Sequence, residues 1–243
     1  MDTPLTAPDP GAVAAFSRAR TAVLERIADA AARSGRDPAA VRLVAVSKTV
    51  DAERVRAAVS AGLTELGENR VQELAAKAPL VPGARWHLIG PLQSNKVRRA
   101  VEVADVIQSV DSLELGRRLD RIAAELRPGA PLPVLLQVNV DDDPAKAGFR
   151  PADLAAALDE LLGLAGLRVD GLMTIGRLVD DPEAARPTFA ALRTLAERLR
   201  RGHPGLGPEL SMGMSDDYPV AVEEGATIVR VGRALFGERP GLG

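Results

Sequence analysis

Apolar residues cluster in eight short runs along the chain, and several of these runs are apolar at consecutive positions. The predicted strands are Val41–Ser47, Glu65–Gly67, Trp86–Gly90, Val106–Gln108, Pro133–Val140, Arg168–Thr174, Glu209–Gly213 and Thr227–Val231. Helical spacing of apolar residues predicts helices over Ala12–Arg33, Asp51–Ala61, Asn95–Val103, Leu113–Leu126, Pro151–Leu162, Pro182–Arg201 and Asp217–Glu224. Runs that are apolar on both faces are typical of parallel strands covered by helices.

The regular alternation of strand and helix predicts an α/β fold, a closed (β/α)8 TIM-type barrel with an extra N-terminal helix. That helix is expected to end at Ser34-Gly35. A length of 243 residues with 46% hydrophobic residues suits one large domain. We place this domain at residues 11–238, between a disordered N-terminal tail, 1–10, and a C-terminal tail, 239–243.

Composition excludes several function classes. The chain has no cysteine and only two histidines, so we expect neither a disulfide, a catalytic thiolate nor a metal site. A net charge of −2 favours neither nucleic acid nor an acidic membrane surface as a partner. No signal-peptide pattern and no apolar stretch of membrane-spanning length are present, which predicts a cytoplasmic protein.

Lysine is rare, since only four of the 31 basic residues are lysines. Lys48 follows the first predicted strand, and the C-terminal strand ends are where such barrels carry function. A solvated lysine at a strand end is one interpretation. The other, which we favour, is an amine that gives up its proton where water is scarce and forms a Schiff base with a carbonyl, which arginine cannot do.

Two segments near the C-terminus offer small residues whose backbone N–H groups can approach an anion. They are Ser211–Ser215 and Val229–Arg233, at the ends of the seventh and eighth strands. The loops after these two strands are the habitual phosphate site of this barrel. Together with Lys48, they predict a site for a phosphorylated aldehyde held at both ends.

Arg230 shares a strand face with Ile228 and Gly232, so its guanidinium is expected to point into the barrel mouth. A guanidinium in that place needs an acceptor. The alternatives are a buried ion pair with Glu65 or Glu68, and a hydrogen bond to a ligand acceptor such as a pyridine nitrogen.

Four segments of this chain resemble the signature blocks of the pyridoxal 5′-phosphate (PLP) homeostasis protein family. They are Val44–Thr49, Gly67–Glu73, Trp86–Lys96 and Leu210–Asp217, and the resemblance runs from about residue 41 to 237. The family's barrel is similar to the N-terminal domain of alanine racemase. The chain departs from the family pattern at Arg70, Ala147 and Arg233, positions where tyrosine, serine and a small hydroxyl residue are common.

The resemblance implies a PLP site, to which we assign no catalytic residue and no metal. PLP would be bound as a Schiff base on Lys48, with Arg230 facing its pyridine nitrogen. The implied phosphate cradle and its neighbours are Ser211, Gly213, Ser215, Gly232 and Arg233, with Asn69 near the ring. His87 lies in a matching block, where a packed histidine bonded to backbone and a catalytic residue are both open interpretations.

Two classes of function compete. One is a carrier that buffers PLP and delivers it, as a monomer, to apo PLP-dependent enzymes. The other is a PLP-dependent amino-acid racemase or lyase, which needs an acid–base apparatus. The only tyrosine, Tyr218, follows the seventh strand, and no later domain is expected to supply a base. These features favour the carrier. A Schiff-base aldolase for sugar phosphates would share Lys48 and the phosphate loops but would not need Arg230.

Overall fold

The computed structural model describes residues 7–176 and 180–237. Its strands are β1 Arg42–Val46, β2 Glu65–Glu68, β3 Arg85–Leu88, β4 Val106–Val110, β5 Leu132–Gln137, β6 Leu167–Met173, β7 Glu209–Ser211 and β8 Ile228–Val231. Its α-helices are α1 Pro10–Arg33, α2 Ala52–Ser60, α3 Val71–Lys77, α4 Val97–Val103, α5 Leu113–Leu126, α6 Pro151–Leu162, α7 Arg186–Gly202, α8 Tyr218–Glu223 and α9 Arg233–Phe236. All strand pairs are parallel, and the sheet closes in sequential order with β8 beside β1. The predicted (β/α)8 barrel with an added N-terminal helix is therefore confirmed.

The apolar core has two layers. Inside the barrel, Val44, Leu135, Met173 and Ile228 form a small buried cluster. A much larger cluster fills the space between the strands and the surrounding helices. Because the side chains of a strand alternate between these layers, inward positions beyond the small cluster face the C-terminal mouth of the barrel.

Helix α1 begins at Pro10, two residues before the predicted start and inside the predicted tail. The cause is Asp9, whose carboxylate accepts a hydrogen bond from the Ala12 N–H at 2.9 Å and caps the helix. At the other end, Gly35 has φ +66°, in agreement with the expected stop. Residues 1–6 and 239–243 of the predicted tails lie outside the described residues, and the domain limits stay predictions.

Five strands are shorter than predicted, namely β1, β3, β5, β7 and β8, and two α-helices were not predicted. Strand β5 ends at Gln137 because the chain then turns back, with Asn139 N–H donating to the Phe149 carbonyl at 2.9 Å. Strand β7 ends at Ser211 because Gly213 adopts φ +91°. The additional helices are α3 and α9, each short and with few apolar positions from which to detect periodicity.

Two kinds of feature are absent from the described residues. No helix within residues 7–176 and 180–237 is long and apolar enough to cross a membrane. In the same part of the chain, no three His, Cys, Asp or Glu side chains are grouped to hold a metal ion.

Candidate functional site

Lys48 lies just past the end of β1, at the C-terminal mouth of the barrel, and is half-buried. By alternation it shares a face with Val44, which belongs to the cluster inside the barrel. The next residue, Thr49, has φ +66°, an uncommon value for a residue with a branched side chain. The sharp turn at Thr49 means that the loop holding Lys48 must be supported by its neighbours.

Helix α3 supplies that support from outside the barrel. The Lys77 ammonium donates to the Ser47 carbonyl at 2.8 Å, and the Glu73 carboxylate accepts from the Thr49 N–H at 3.1 Å. These two bonds fix the backbone on both sides of Lys48. Sequence analysis missed this role, although Glu73 and Lys77 have the i,i+4 spacing of a helical ion pair.

A buried ion pair lies beneath this loop. Glu68 is fully buried, and its Oε1 accepts from Lys77 Nζ and from the Ser47 hydroxyl, each at 2.7 Å. Burial raises the pKa of Glu68, while the hydrogen bonds from Lys77 and Ser47 act in the opposite direction. The Glu68 Oε2 atom is buried and has no hydrogen-bond partner within the part of the chain that the structure describes. The buried negative charge of Glu68 therefore depends on the Lys77 ammonium for its compensation.

We predict that Lys77→Met lowers the free energy of unfolding by about 3–5 kcal/mol, since it leaves the Glu68 charge buried and unpaired. Urea unfolding of the ligand-free protein measures the change. The matched control is the double variant Lys77→Met with Glu68→Met, which removes both charges and should recover much of the loss. A double variant less stable than the single one would contradict this account.

The two glycine segments meet at the mouth, but their glycines serve different purposes. A Cβ on Gly213 would lie 2.6 Å from the Ala221 Cβ and 2.9 Å from the Tyr218 Cα, so the fold itself requires glycine there. A Cβ on Gly232 would come no closer than 3.4 Å to any atom of the described residues, the nearest being the Val46 carbonyl oxygen. The packing of the protein therefore leaves room for a Cβ at Gly232 but not at Gly213.

The Gly232 N–H joins the two segments by donating to the Ser215 hydroxyl at 3.1 Å. Beside it, Arg233 forms an ion pair with Asp216, and both side chains are more than half exposed, at 56% and 59%. Gly232 and Ser215 thus offer a backbone donor and a hydroxyl side by side, with a guanidinium at the edge of the mouth. Such a group of donors suits a phosphate.

Arg230 is buried in the barrel, with 4% of its surface exposed. Its Nη1 donates to the Ser211 hydroxyl at 2.6 Å, and its Nη2 donates to the Thr174 carbonyl at 2.8 Å. Burial lowers the pKa of Arg230 to about 10, with Asp217 opposing the shift. The guanidinium therefore remains charged at neutral pH.

The ion pairs considered for Arg230 are not formed. Glu65 instead contacts His87 at 2.6 Å and Arg85 at 3.7 Å, and Glu68 pairs with Lys77. Among the described side chains, no carboxylate lies within 4.0 Å of the Arg230 guanidinium. A buried cation held only by a hydroxyl and a carbonyl is compatible with a ligand that supplies a further acceptor.

The structure also gives the surroundings of three further residues named in the sequence analysis. The Ser211 hydroxyl, assigned to the phosphate cradle by resemblance, is engaged inside the barrel by Arg230 and by Gln108, at 2.6 Å each. His87 bonds to side chains, Glu65 and Gln108, and not to backbone. Asn69 is half-buried and lines a surface cavity of about 570 Å³ that none of the phosphate-loop residues lines.

Tyr218, the only tyrosine, faces away from the mouth. Its side chain is fully buried, and its ring lies 5.2 Å from the Arg26 guanidinium of α1. Burial raises the pKa of its hydroxyl. Among the described residues the hydroxyl has no hydrogen-bond partner, so no side-chain hydrogen bond links it to the mouth.

Comparison with known proteins gives a consistent result. A family model for the N-terminal domain of alanine racemase matches residues 20–240. The pyridoxal phosphate homeostasis protein of Pseudomonas aeruginosa is 45% identical over 221 residues, covering 89% of this chain and 93% of that protein. The one from Aquifex aeolicus is 42% identical over 219 residues, covering 89% of this chain and 95% of that protein. PipY of Synechococcus elongatus, solved with PLP bound, has a TM-score of 0.77 and 47% identity and covers 88% of this chain and 100% of that one.

The matched regions include the whole barrel, since residues 20–240 contain all eight strands and both glycine segments. The family resemblance carried by the four signature blocks is therefore confirmed. This chain belongs to the pyridoxal phosphate homeostasis protein family, which is built on the N-terminal domain fold of alanine racemase.

Proposed function

We propose that this chain binds PLP at the mouth of its barrel and serves PLP homeostasis, buffering the cofactor and delivering it to apo PLP-dependent enzymes. We also propose that it acts as a cytoplasmic monomer. The names of its relatives and the PLP-bound structure of PipY support the proposal. The observation that carries it is Arg230, a buried cation with no carboxylate bonded to it among the described residues.

The side chains present fit the chemical groups of PLP. Lys48 would hold the aldehyde carbon covalently, and Arg230 would donate to the pyridine nitrogen. Gly213, Ser215 and Gly232 would hold the phosphate, with Arg233 at its edge. Asn69 would lie beside the ring. In this proposal Ser211 supports Arg230, because its hydroxyl already accepts from that guanidinium.

The arrangement favours a carrier over an enzyme. Bound PLP withdraws electrons from the α-carbon of an amino acid, most strongly when its ring nitrogen is protonated. Arg230 opposes that protonation because its guanidinium remains charged at neutral pH and can only donate. Racemisation also needs a second base on the opposite face of the substrate. Tyr218 does not meet this need, since its hydroxyl is buried beneath α1.

We predict no efficient turnover of amino acids by the PLP-loaded protein. Racemisation of alanine and serine should be slower than about 1 per second, the low end of ordinary enzymatic rates. Chiral chromatography after incubation with each L-amino acid measures the rate of racemisation. The Lys48→Ala variant, incubated with the same concentration of PLP, gives the background rate. Turnover at or above that rate would favour the racemase or lyase alternative.

Delivery is tested by mixing the loaded protein with an apo PLP enzyme and an excess of a scavenger of free aldehyde. We expect the apo enzyme to recover activity faster than it does with free PLP and the same scavenger. Recovery equal to that with free PLP would mean that the protein buffers the cofactor without handing it over.

A further inference from the structure

A continuous chain of side-chain hydrogen bonds crosses the interior of the barrel and ends at Arg230. Its members are Glu65, His87, Gln108, Ser211 and Arg230, from β2, β3, β4, β7 and β8. The successive distances are 2.6 Å from Glu65 Oε2 to His87 Nε2, 2.9 Å from His87 Nδ1 to Gln108 Nε2, 2.6 Å from Gln108 Oε1 to Ser211 Oγ, and 2.6 Å from Ser211 Oγ to Arg230 Nη1. The three middle members are fully buried.

Arg230 sets the direction of every bond in the chain. A guanidinium can only donate, so the Ser211 oxygen accepts from it and the Ser211 proton goes to Gln108 Oε1. The Gln108 amide then presents its N–H to His87 Nδ1. Because Nδ1 accepts, the proton of a neutral His87 ring must lie on Nε2, where it donates to Glu65.

The Glu65 end of the hydrogen-bond chain leads to the same direction of donation. Burial raises the pKa of Glu65, but the hydrogen bond from His87 and the charges of Arg85 and Arg42 outweigh it, so the pKa lies below its ordinary value. Burial lowers the pKa of His87, Arg85 and Arg42 lower it further, and Glu65 opposes them. An ionised Glu65 that only accepts, beside a neutral ring, again places the His87 proton on Nε2.

We propose that Glu65, His87, Gln108 and Ser211 are positioning residues that fix the Arg230 guanidinium, with His87 held as the neutral tautomer protonated on Nε2. Ser211 holds Nη1, and the Thr174 carbonyl of β6 holds Nη2 from the other side. Two bonds from two different strands fix the plane of the guanidinium. The consequence of this fixed orientation for the cofactor rests on the proposed function, in which Arg230 donates to the pyridine nitrogen at a fixed angle.

The tautomer is measured on the ligand-free protein, near neutral pH, by long-range ¹H–¹⁵N NMR after ¹⁵N-histidine labelling. The protein has only two histidines, so the variant His203→Gln assigns the His87 signals. We expect a protonated Nε2 and an unprotonated Nδ1. A ring protonated on Nδ1, or on both nitrogens, would overturn the proposal.

Substitutions of Gln108 test the coupling along the chain. The carboxylate introduced by Gln108→Glu can only accept, so we expect His87 to gain a second proton and give the imidazolium signals. Gln108→Met has a similar length and no charge, and it should leave the Nε2–H tautomer in place. Identical His87 spectra in the Gln108→Glu variant and the unaltered protein would contradict the coupling.

PLP titration tests the effect on Arg230. Ser211→Ala and Gln108→Met should each weaken binding by about three- to tenfold and shift the absorption maximum of the bound cofactor, while His203→Gln changes neither. Unaltered affinity and absorption in both variants would show that the chain does not position Arg230. If the ligand-free protein has the expected tautomer but binds no PLP, the proposed function fails and the assignment of the hydrogen bonds stands.

Discussion

Lys48→Ala should abolish covalent attachment of PLP. Borohydride reduction of the unaltered protein after incubation with PLP, followed by peptide mass spectrometry, should place a pyridoxyl group on Lys48. The Lys48→Ala variant should show none at that peptide. Lys48→Arg should fail equally, because the guanidinium keeps the charge but offers no nucleophilic amine. The phosphate loops remain in both variants, so weak reversible binding is expected to persist.

The other lysines provide the internal comparison. Lys77 donates to Glu68 and to the Ser47 carbonyl, and Lys146 donates to Asp141 at 2.9 Å and to the Ile175 carbonyl at 3.2 Å. Lys96→Arg is the matched control and should leave the Lys48 adduct unchanged. An adduct found mainly on Lys77, Lys96 or Lys146 would contradict the assignment.

Gly232→Val should weaken PLP binding far more than it destabilises the fold. A Cβ at this position has ordinary contacts, since no atom of the described residues lies closer than 3.4 Å to it. The branched side chain of valine adds bulk next to the Gly232 N–H, which lies beside the Ser215 hydroxyl where the phosphate is proposed to bind. Loss of one charge-assisted hydrogen bond costs about 1.5–3 kcal/mol, roughly a 10- to 150-fold loss of affinity. Equilibrium PLP titration measures the affinity, and urea unfolding of the ligand-free variant measures the stability.

Two other glycines make this experiment specific. Gly202→Val is the control, because a Cβ there has no neighbour within 4 Å among the described residues. Gly202 also lies where α7 leads into β7, at the opposite end of the barrel from the mouth. Gly213→Ala should, in contrast, lower the free energy of unfolding, since its Cβ would overlap the Cβ of Ala221. A Gly232→Val variant that binds PLP like the unaltered protein would place the phosphate elsewhere.

The outline of the site was accessible from the sequence because it depends on local rules. Strand alternation placed Arg230 and Gly232 on one inward face, and the position of Lys48 after β1 placed it at the mouth. The same rules could not choose the partner of Arg230. Glu65 and Glu68 were both chemically suitable, yet each is already paired with a neighbour that lies closer in the fold.

The sequence by itself indicated the barrel, since eight apolar runs separated by helical spacing in one domain favour a closed layer of strands inside helices over an open sheet. It also determined which residue types could hold a phosphorylated aldehyde. Only the tertiary structure decided which side chains meet across the barrel. Gln108 and Ser211 are 103 positions apart and lie on strands that are not neighbours, so no local pattern joins them. Closure of the barrel brings them together, and burial then obliges each polar atom to find its partner there.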